Sequence, residues 1–513
     1  MDSPGGSSGQ IIDGQRMLFN SVAFIFVFLP ATLLVFFVAA KVSRVLALCC
    51  LTAASLIFYA QTDSRYLLIL VPSIIANYLI GSALSGERLG DSRRFAIVTF
   101  GIAANLACLF TFKYLDLFID TIDRLQLADI GLRHIELPLG ISFFTFTQIA
   151  FLVDAYQRKV SEAKFVNYAL FVSYFPHLVA GPILHHAEMM PQFAEGRFRP
   201  RLENFAIGLS VFFIGLFKKV MVADHLAPQV HRIFDAAGQG TALSALEAWS
   251  GALCYALQIY FDFSGYSDMA IGLSLLFGVK LPLNFNSPYK AVNIIEFWRR
   301  WHMTLSRFLR DYLYIPLGGS RAGEARRLAN VMIVMLLGGL WHGASWTFVV
   351  WGGLHGIYLM VNHAWQMLIG ENHSRSLLSV LAGRLMTFLL VTFAWVFFRS
   401  ATLDTALGIA KSMFGLGALL VPADLGGSNL PSSDVAAIAA AALMVAWFMP
   451  NTQEIMSLYR PALAAPRQAD AGFPLFLWRP TIACAVMVGA AAVASLATII
   501  FEKRVGDFIY FQF

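Results

Sequence analysis

Apolar runs long enough to cross a membrane recur along almost the whole chain. A transmembrane helix needs about 20 mostly apolar residues, and about eleven stretches of this kind are present. They lie near residues 20–40, 44–60, 66–84, 95–115, 137–156, 204–223, 245–262, 329–342 with 344–366, 384–399, 433–450 and 479–501. Only 13% of the residues are charged, roughly half of the ~25% found in soluble proteins. The pattern predicts an all-α polytopic membrane protein and excludes a water-soluble enzyme.

Charged residues between the apolar runs predict the orientation of the chain. Lys41 and Arg44 follow the first run, and Arg93 and Arg94 follow the third. Because basic residues collect in cytoplasmic loops, we expect both of these loops in the cytoplasm and the N-terminus outside it. Residues 1–16 are expected to form a flexible tail before a single membrane domain, 17–513. The net charge of +6 forms no continuous basic stripe, so nucleic acid is not an expected partner.

The stretch 165–182 is predicted to enter the membrane and return on the same side. Basic residues flank it on both sides, and Pro176 and Gly181-Pro182 interrupt it. Irregular backbone at membrane depth is tolerated only where protein or a water-filled cavity surrounds it. We therefore expect this re-entrant segment to lie against a central cavity.

The most polar stretch of the chain is 284–328, in which basic residues outnumber acidic ones. Asn293 is a suitable N-cap for a helix with Glu296 three residues later. Apolar residues at helical spacing from Ile294 to Tyr312 form one stripe, with His302 at its margin. The pattern predicts an amphipathic interfacial helix whose cationic face reaches water. This face includes Arg299, Arg300 and Arg307.

Two histidines lie inside an apolar stretch, in GGLWHGASWTFVVWGGLHG (338–356). An ionisable residue at membrane depth is costly, so His342 and His355 are candidate functional residues, although a neutral imidazole can also serve only helix packing. Gly338, Gly339 and Gly343 bracket His342 and allow a helix break and close approach of a ligand. On one continuous helix the two histidines are too far apart to share a metal. His355 is expected to pack between helices or to line the same cavity, and no metal site is predicted.

These residues carry a family resemblance. FWRRWHMTLSRFLRDYLYIPLGGSR (297–321), followed by the 338–356 motif, resembles the central signature of the membrane-bound O-acyltransferase family. The likeness is closest to the bacterial branch that acts in alginate acetylation and teichoic acid D-alanylation. The signature core covers about 258–366, and further similar blocks lie at 17–30, 138–160, 174–183, 258–272 and 508–513.

The resemblance implies a ring of membrane helices around a tunnel that joins a cytoplasmic acyl donor to an extracytoplasmic acceptor. It implies that His342 is the family's intramembrane histidine and that His302 is its second histidine, nearer the cytoplasmic mouth. We expect His342 to act as a general base for the acceptor hydroxyl, with a transient acyl-imidazole as the alternative. His302 is the second expected catalytic residue. With Arg299, Arg300 and Arg307 nearby, it is expected to position the phosphates or the pantetheine thiol of the donor at the cytoplasmic entrance.

The expected activity is transfer of an acetyl group from cytoplasmic acetyl-CoA for O-acetylation of an alginate-like exopolysaccharide. No permanently bound cofactor is expected. The expected location is a bacterial inner membrane, and the expected partners are the lipid bilayer, the polysaccharide and a periplasmic SGNH-type acetyltransferase. Alternatives are peptidoglycan, cellulose or teichoic acid as the acceptor, or a non-enzymatic transporter or flippase of an acylated lipid or polymer.

Overall fold

The computed structural model describes the chain apart from residues 1–16, 87–88, 161–163, 322, 370–375, 417–428, 465–475, 503–505 and 513. The predicted tail, 1–16, thus lies outside the described residues. Over the remainder the chain is helical, and these residues contain no β-strand, in agreement with the predicted all-α class.

The first half of the described chain contains eleven α-helices, and π-helical segments join two pairs of them. Its α-helices are α1 (Leu29–Val42), α2 (Arg44–Ala60), α3 (Leu67–Ser85), α4 (Asp91–Leu109), α5 (Leu115–Arg124), α6 (Ile141–Tyr156), α7 (Phe165–Ser173), α8 (Phe175–Leu178), α9 (His186–Glu195), α10 (Leu202–Phe217) and α11 (Asp224–Gly238). The π-helical segment Phe110–Tyr114 joins α4 to α5, and the π-helical segment Lys218–Ala223 joins α10 to α11. A third π-helical turn, Phe24–Phe28, precedes α1.

The second half begins with the longest helix and ends in a short 3₁₀ turn. Its α-helices are α12 (Ala245–Leu276), α13 (Ile294–Arg300), α14 (Met303–Leu309), α15 (Glu324–His342), α16 (Trp346–Ile369), α17 (Leu377–Arg399), α18 (Leu403–Met413), α19 (Ser433–Phe448), α20 (Thr452–Ile455) and α21 (Ile482–Phe501). The π-helical segment Arg310–Tyr314 follows α14, and the 3₁₀ turn Ile509–Gln512 lies near the end of the chain.

Several of these helices have the length and composition of membrane spans. Among the described residues, six stretches qualify: Phe24–Val42, Ser64–Ser85, Asp91–Arg124, Leu202–Gly238, Leu377–Arg399 and Ile482–Phe501. Shorter apolar helices are Arg44–Ala60, Ile141–Tyr156 and Ser433–Phe448. The protein is therefore a multi-pass membrane protein, and the count of about eleven crossings stays a prediction.

Helix α12 occupies the centre of the fold. Nearly all of its residues are buried, on every face of the helix, as expected for a helix surrounded by other helices. It packs closely on α10 because glycines meet at two levels. A Cβ atom on Gly215 would lie 2.6 Å from the carbonyl oxygen of Gly265, and one on Gly208 would lie 2.8 Å from that of Gly272. This close crossing brings the polar side chains of both helices together.

Arg94 and Arg65 lie at opposite ends of α3 and α6. Arg94, at the start of α4, donates to the carbonyl oxygens of Leu84 and Tyr156, which lie at the ends of α3 and α6. Arg65 pairs with Asp63 before α3 and with Glu136 before α6. The ends of α3 and α6 thus share one face, here called the Arg94 face. Their beginnings share the other, the Arg65 face.

The segment 165–182 has the irregular form that its sequence predicts. It consists of the short helices α7 and α8 followed by an extended stretch, and residues from Asn167 to Pro182 are buried. Tyr174 breaks the helix between α7 and α8. Val179 lines a cavity beside His342, so the expected position against a central cavity is confirmed.

The prediction of one amphipathic helix from Ile294 to Tyr312 is wrong in one respect. The Asn293 cap is present, since its side chain accepts from the backbone N–H of Glu296 at 2.9 Å. The helix nevertheless breaks at Trp301 and His302, and α14 then begins in a new direction. His302 has a φ of +43°, a left-handed conformation that costs a non-glycine residue about 1–2 kcal/mol. Burial of the Trp301 and His302 side chains in the core offsets this cost. The helical period of the sequence gives no sign of this burial.

Candidate active site

His342 lies at the tip of a helical hairpin. It is the last residue of α15, and the chain returns as α16 after residues 343–345, which confirms the break expected at Gly343. The two helices touch through glycines: a Cβ atom on Gly339 would overlap the carbonyl oxygen of Phe348, and one on Gly352 would overlap that of Met335. The 329–366 stretch is thus two antiparallel helices, and His342 is held where they turn.

Lys113 secures this tip from α4 and its π-helical extension. Its Nζ donates to the carbonyl oxygens of Trp341 at 2.7 Å and His342 at 3.0 Å, and to Oγ of Ser142 at 3.2 Å. The last carbonyls of a helix have no partner within the helix and carry partial negative charge. The buried Lys113 side chain therefore satisfies these carbonyls and holds the backbone at the end of α15.

The chain terminus supplies a second contact to His342. The Tyr510 hydroxyl lies 3.0 Å from Nδ1 of His342. Its ring packs against Phe263, with centroids 4.2 Å apart. Tyr510 belongs to the 508–513 block that carried the resemblance, but its sequence suggests no chemistry, and the hydrogen bond appears only in the tertiary structure.

His302 faces His342 across a short gap. Their ring centroids are 6.2 Å apart. Nδ1 of His302 lies 3.1 Å from Oδ1 of Asn284, which also accepts from the Thr304 hydroxyl at 2.9 Å. Nε2 of His302 is buried without a hydrogen-bond partner among the described residues. A buried polar atom of this kind normally has a partner in the working protein, so Nε2 is available to a substrate or to water.

His355 is not part of this pair. The Trp351 ring lies between the two histidines, with centroids 5.1 Å from His342 and 4.8 Å from His355. His355 packs beside Phe297 and Trp298, fully buried. Of the two expectations for His355, helix packing is the one that the structure supports.

A cavity of about 210 Å³ adjoins the site. Its walls include Lys113, Ser142, Val179, His342 and Tyr510, together with residues 137–141. A second cavity of about 270 Å³ shares Lys113 and the 137 position and reaches Gly343. Residues 137–140 precede α6, on the Arg65 face. The site is therefore reached from the side that the loop charges predict to be extracytoplasmic.

The three predicted donor-binding arginines have different surroundings. Arg300 pairs with Glu296 at 2.6 Å, and Arg307 forms two bonds with Glu188, at 2.6 and 2.7 Å. Arg299 is exposed. Burial, followed by the Arg307 guanidinium, lowers the pKa of the nearby His185 to about 4. That imidazole is thus neutral near pH 7, and the role of the arginines toward a donor stays a prediction.

The chemistry of the site is that of proton transfer in a shielded space. An imidazole within hydrogen-bond distance of a hydroxyl can exchange a proton with it or be oriented by it. Within the described ranges, no three His, Cys, Asp or Glu side chains gather as a metal ion requires.

Comparison with known proteins decides the family. The model of the membrane-bound O-acyltransferase family matches residues 56–400. The chain belongs to this family. Membership confirms the resemblance of the signature blocks and makes the protein an O-acyltransferase, which favours acyl transfer over the transporter alternative.

The relatives within this O-acyltransferase family act on different polymers. A peptidoglycan O-acetyltransferase from Helicobacter pylori is 45% identical over 78% of this chain and 80% of its own length. A probable alginate O-acetylase AlgI from Azotobacter vinelandii is 38% identical over 89% of each chain. A teichoic acid D-alanyltransferase from Streptococcus thermophilus is 30% identical over 44% of this chain and 57% of its own length.

Proposed function

We propose that this O-acyltransferase moves an acetyl group from cytoplasmic acetyl-CoA to a hydroxyl acceptor on the outer side of the membrane, for O-acetylation of a glycan. The observation that carries the proposal is the pair formed by His342 and Tyr510 beside the 210 Å³ cavity. An imidazole, a hydroxyl and a cavity on the Arg65 face occur together there.

In the proposed step His342 is the general base. The attacking hydroxyl gives its proton to the imidazole as its oxygen forms an ester bond with the acetyl carbon. The thioester C–S bond breaks, and the proton then passes to the leaving thiolate of CoA. If Nδ1–H of His342 donates to the Tyr510 oxygen, Nε2 carries the lone pair that accepts the proton, since the bond at one ring nitrogen sets the role of the other.

His302 is proposed to bind the donor at the thioester. His302 lies between α13 and α14, its Nε2 has no partner among the described residues, and Asn284 fixes the ring. Arg299, exposed at the end of α13, is proposed to contact the phosphates of acetyl-CoA. Tyr312, just after α14, donates to Asp154 near the end of α6, so the route of the donor would run from the Arg94 face to His342.

Two acceptors have support from the relatives. Alginate O-acetylases at 35% to 38% identity favour an alginate-like exopolysaccharide. The relative named peptidoglycan O-acetyltransferase, at 45% identity, favours peptidoglycan. With either acceptor we propose an inner-membrane location, an N-terminus in the periplasm, and a periplasmic SGNH-type acetyltransferase that completes the transfer to the glycan.

Inside-out membrane vesicles test this proposal, because they present the cytoplasmic face to added reagents. Acetyl-CoA labelled in the acetyl group should yield labelled acetyl esters on glycan inside the vesicles. His342→Gln should lower this incorporation by roughly 10²- to 10⁴-fold, the usual contribution of general acid-base catalysis, at unchanged protein abundance. His363→Gln, a histidine of α16 outside the site, is the matched control.

Normal incorporation of labelled acetyl groups into glycan in His342→Gln vesicles would contradict the proposal. Label that accumulates without covalent transfer would favour a transporter instead. The identity of the labelled glycan, read after digestion with an alginate lyase or a muramidase, distinguishes the two acceptors.

A further inference from the structure

A buried ion cluster lies between α12 and the π-helical segment Lys218–Ala223, outside the proposed chemistry. Nζ of Lys219 lies 2.6 Å from Oδ1 of Asp262 and 2.8 Å from Oδ1 of Asp224. The side chains of Lys219 and Asp262 are each 2% exposed. Apolar residues in such positions often give equal or greater stability, because removing ions from water is costly. Stability alone therefore gives no reason for this cluster.

The remaining bonds of the cluster go to the C-terminal segment 506–510. Nζ of Lys219 donates to the carbonyl oxygen of Asp507 at 2.9 Å, and Oδ2 of Asp262 accepts from the backbone N–H of Ile509 at 3.1 Å. The Lys219 ammonium also lies 4.9 Å from the centre of the Phe508 ring. Because two of these contacts use main-chain atoms, the cluster holds the backbone of the segment and not merely one side chain.

The segment passes so close to the cluster that its path is narrowly defined. A Cβ atom on Gly506 would lie 2.6 Å from Oδ1 of Asp224, which leaves room there only for glycine. Ile509, whose N–H is bound by Asp262, directly precedes Tyr510. A displacement of the backbone at Ile509 would therefore move the Tyr510 hydroxyl away from Nδ1 of His342.

We propose that Lys219 and Asp262 are positioning residues: they bind the backbone of residues 507–509 and so hold Tyr510 against His342. The docking of residues 507–509 is inferred from their contacts with Lys219 and Asp262 and does not depend on the proposed function. Its effect on acetyl transfer rests on the proposed function.

A neighbouring ion pair provides a matched control. Nζ of Lys218 lies 2.6 Å from Oδ2 of Asp268, which also accepts from the Thr452 hydroxyl. This pair joins the same two helices, and its further bonds go to Thr452 and Gln453 rather than to the C-terminal segment. Lys218→Met therefore reproduces the loss of a buried ion pair while it leaves the anchor of Tyr510 intact.

Docking is measured by cross-linking in the full-length protein. The free cysteines are first replaced by alanine, at Cys49, Cys50, Cys108, Cys254 and Cys484, and cysteines are then placed at Phe143 and Tyr510, whose rings are 5.9 Å apart. A short thiol cross-linker should join the two positions. Lys219→Met should lower the yield about tenfold, because hydrogen bonds to a charged group are lost. Lys218→Met should leave the yield unchanged.

A second variant tests the same contact from the other partner. Ile509→Pro removes the N–H that Asp262 accepts and leaves both helices untouched, so it remains informative if Lys219→Met fails to accumulate. Ile509→Val keeps the N–H and is its control. Full cross-linking in Lys219→Met or in Ile509→Pro would overturn the proposal, whether or not the protein transfers acetyl groups.

The activity arm uses a double-mutant comparison in the vesicle assay with acetyl-CoA. If Lys219 acts through Tyr510, Lys219→Met should lower kcat in the wild-type background but cause no further loss in a Tyr510→Phe background. Lys218→Met should show equal effects in both backgrounds. Equal losses for Lys219→Met in both backgrounds would contradict a positioning role, and an inactive wild type would contradict only the proposed function.

Discussion

The hydroxyl of Tyr510 and Nδ1 of His342 lie 3.0 Å apart although 168 positions separate them in the chain. His342 reaches this point from the tip of the α15–α16 hairpin, and Tyr510 reaches it from the terminal 3₁₀ turn. The proposed site is thus completed by the segment 506–510, which supplies the hydroxyl beside His342.

Tyr510→Phe should lower acetyl transfer at least about tenfold, the effect of a net hydrogen-bond contribution near 1.4 kcal/mol in the transition state. The ring and its packing on Phe263 remain, so abundance should be close to wild type. Thermal stability should fall by about 1–3 kcal/mol, because the buried Nδ1 of His342 loses this partner. Turnover in the vesicle assay is the measurement. Unchanged turnover would show that the hydroxyl has no role, and an acetyl ester found on Tyr510 by mass spectrometry would identify it as the acetyl carrier.

Asn284→Leu should reduce turnover more than it reduces abundance. The substitution removes the acceptor of His302 Nδ1 and of the Thr304 hydroxyl, and each buried group left without a partner costs about 1–3 kcal/mol. Asn77→Leu is the control, since Asn77 forms a buried pair with Asn105 away from the site. Both variants should lose thermal stability, but only Asn284→Leu should show lower kcat per folded molecule. Equal kcat in the two would argue against a role for Asn284 in orienting His302.

Gly339→Ala should destabilise the protein by about 1–3 kcal/mol, as overpacking does. The added methyl group would overlap the carbonyl oxygen of Phe348 and push α16 from α15. Gly408→Ala, in an exposed part of α18 with open space around it, should instead be neutral or stabilising by up to about 1 kcal/mol. Thermal unfolding in detergent compares the two. A Gly339→Ala protein as stable as wild type would show that α15 and α16 can separate enough to accommodate the methyl group.

Arg299→Gln should raise the KM for acetyl-CoA about fivefold with kcat unchanged, because an exposed ionic contact contributes at most about 1 kcal/mol. Arg300→Gln and Arg307→Gln break ion pairs with Glu296 and Glu188 and should lower thermal stability. Initial rates at varied acetyl-CoA separate KM from kcat. A KM effect confined to Arg307 would transfer the donor-binding role to that residue.

The membrane-protein class and one residue of the candidate site, His342, could be predicted from the sequence. About eleven runs near 20 apolar residues require a bilayer, and a histidine in one of them had to be explained by function or packing. The broken segment at 165–182 was also predictable, because prolines and matching basic flanks are local features.

The assembly of the candidate site could not be predicted from the sequence. Lys113, like His342, is an ionisable residue in an apolar run. The sequence around it gives no sign that it binds the carbonyl oxygens at the end of α15. The left-handed conformation of His302 is stabilised by packing against residues far away in the sequence. The ion cluster of Lys219 and Asp262 binds the backbone next to Tyr510 and so holds Tyr510 at His342. Patterns within one segment report burial and helical period, whereas contacts between segments depend on how helices pack, and that is why these partners became visible only in the folded chain.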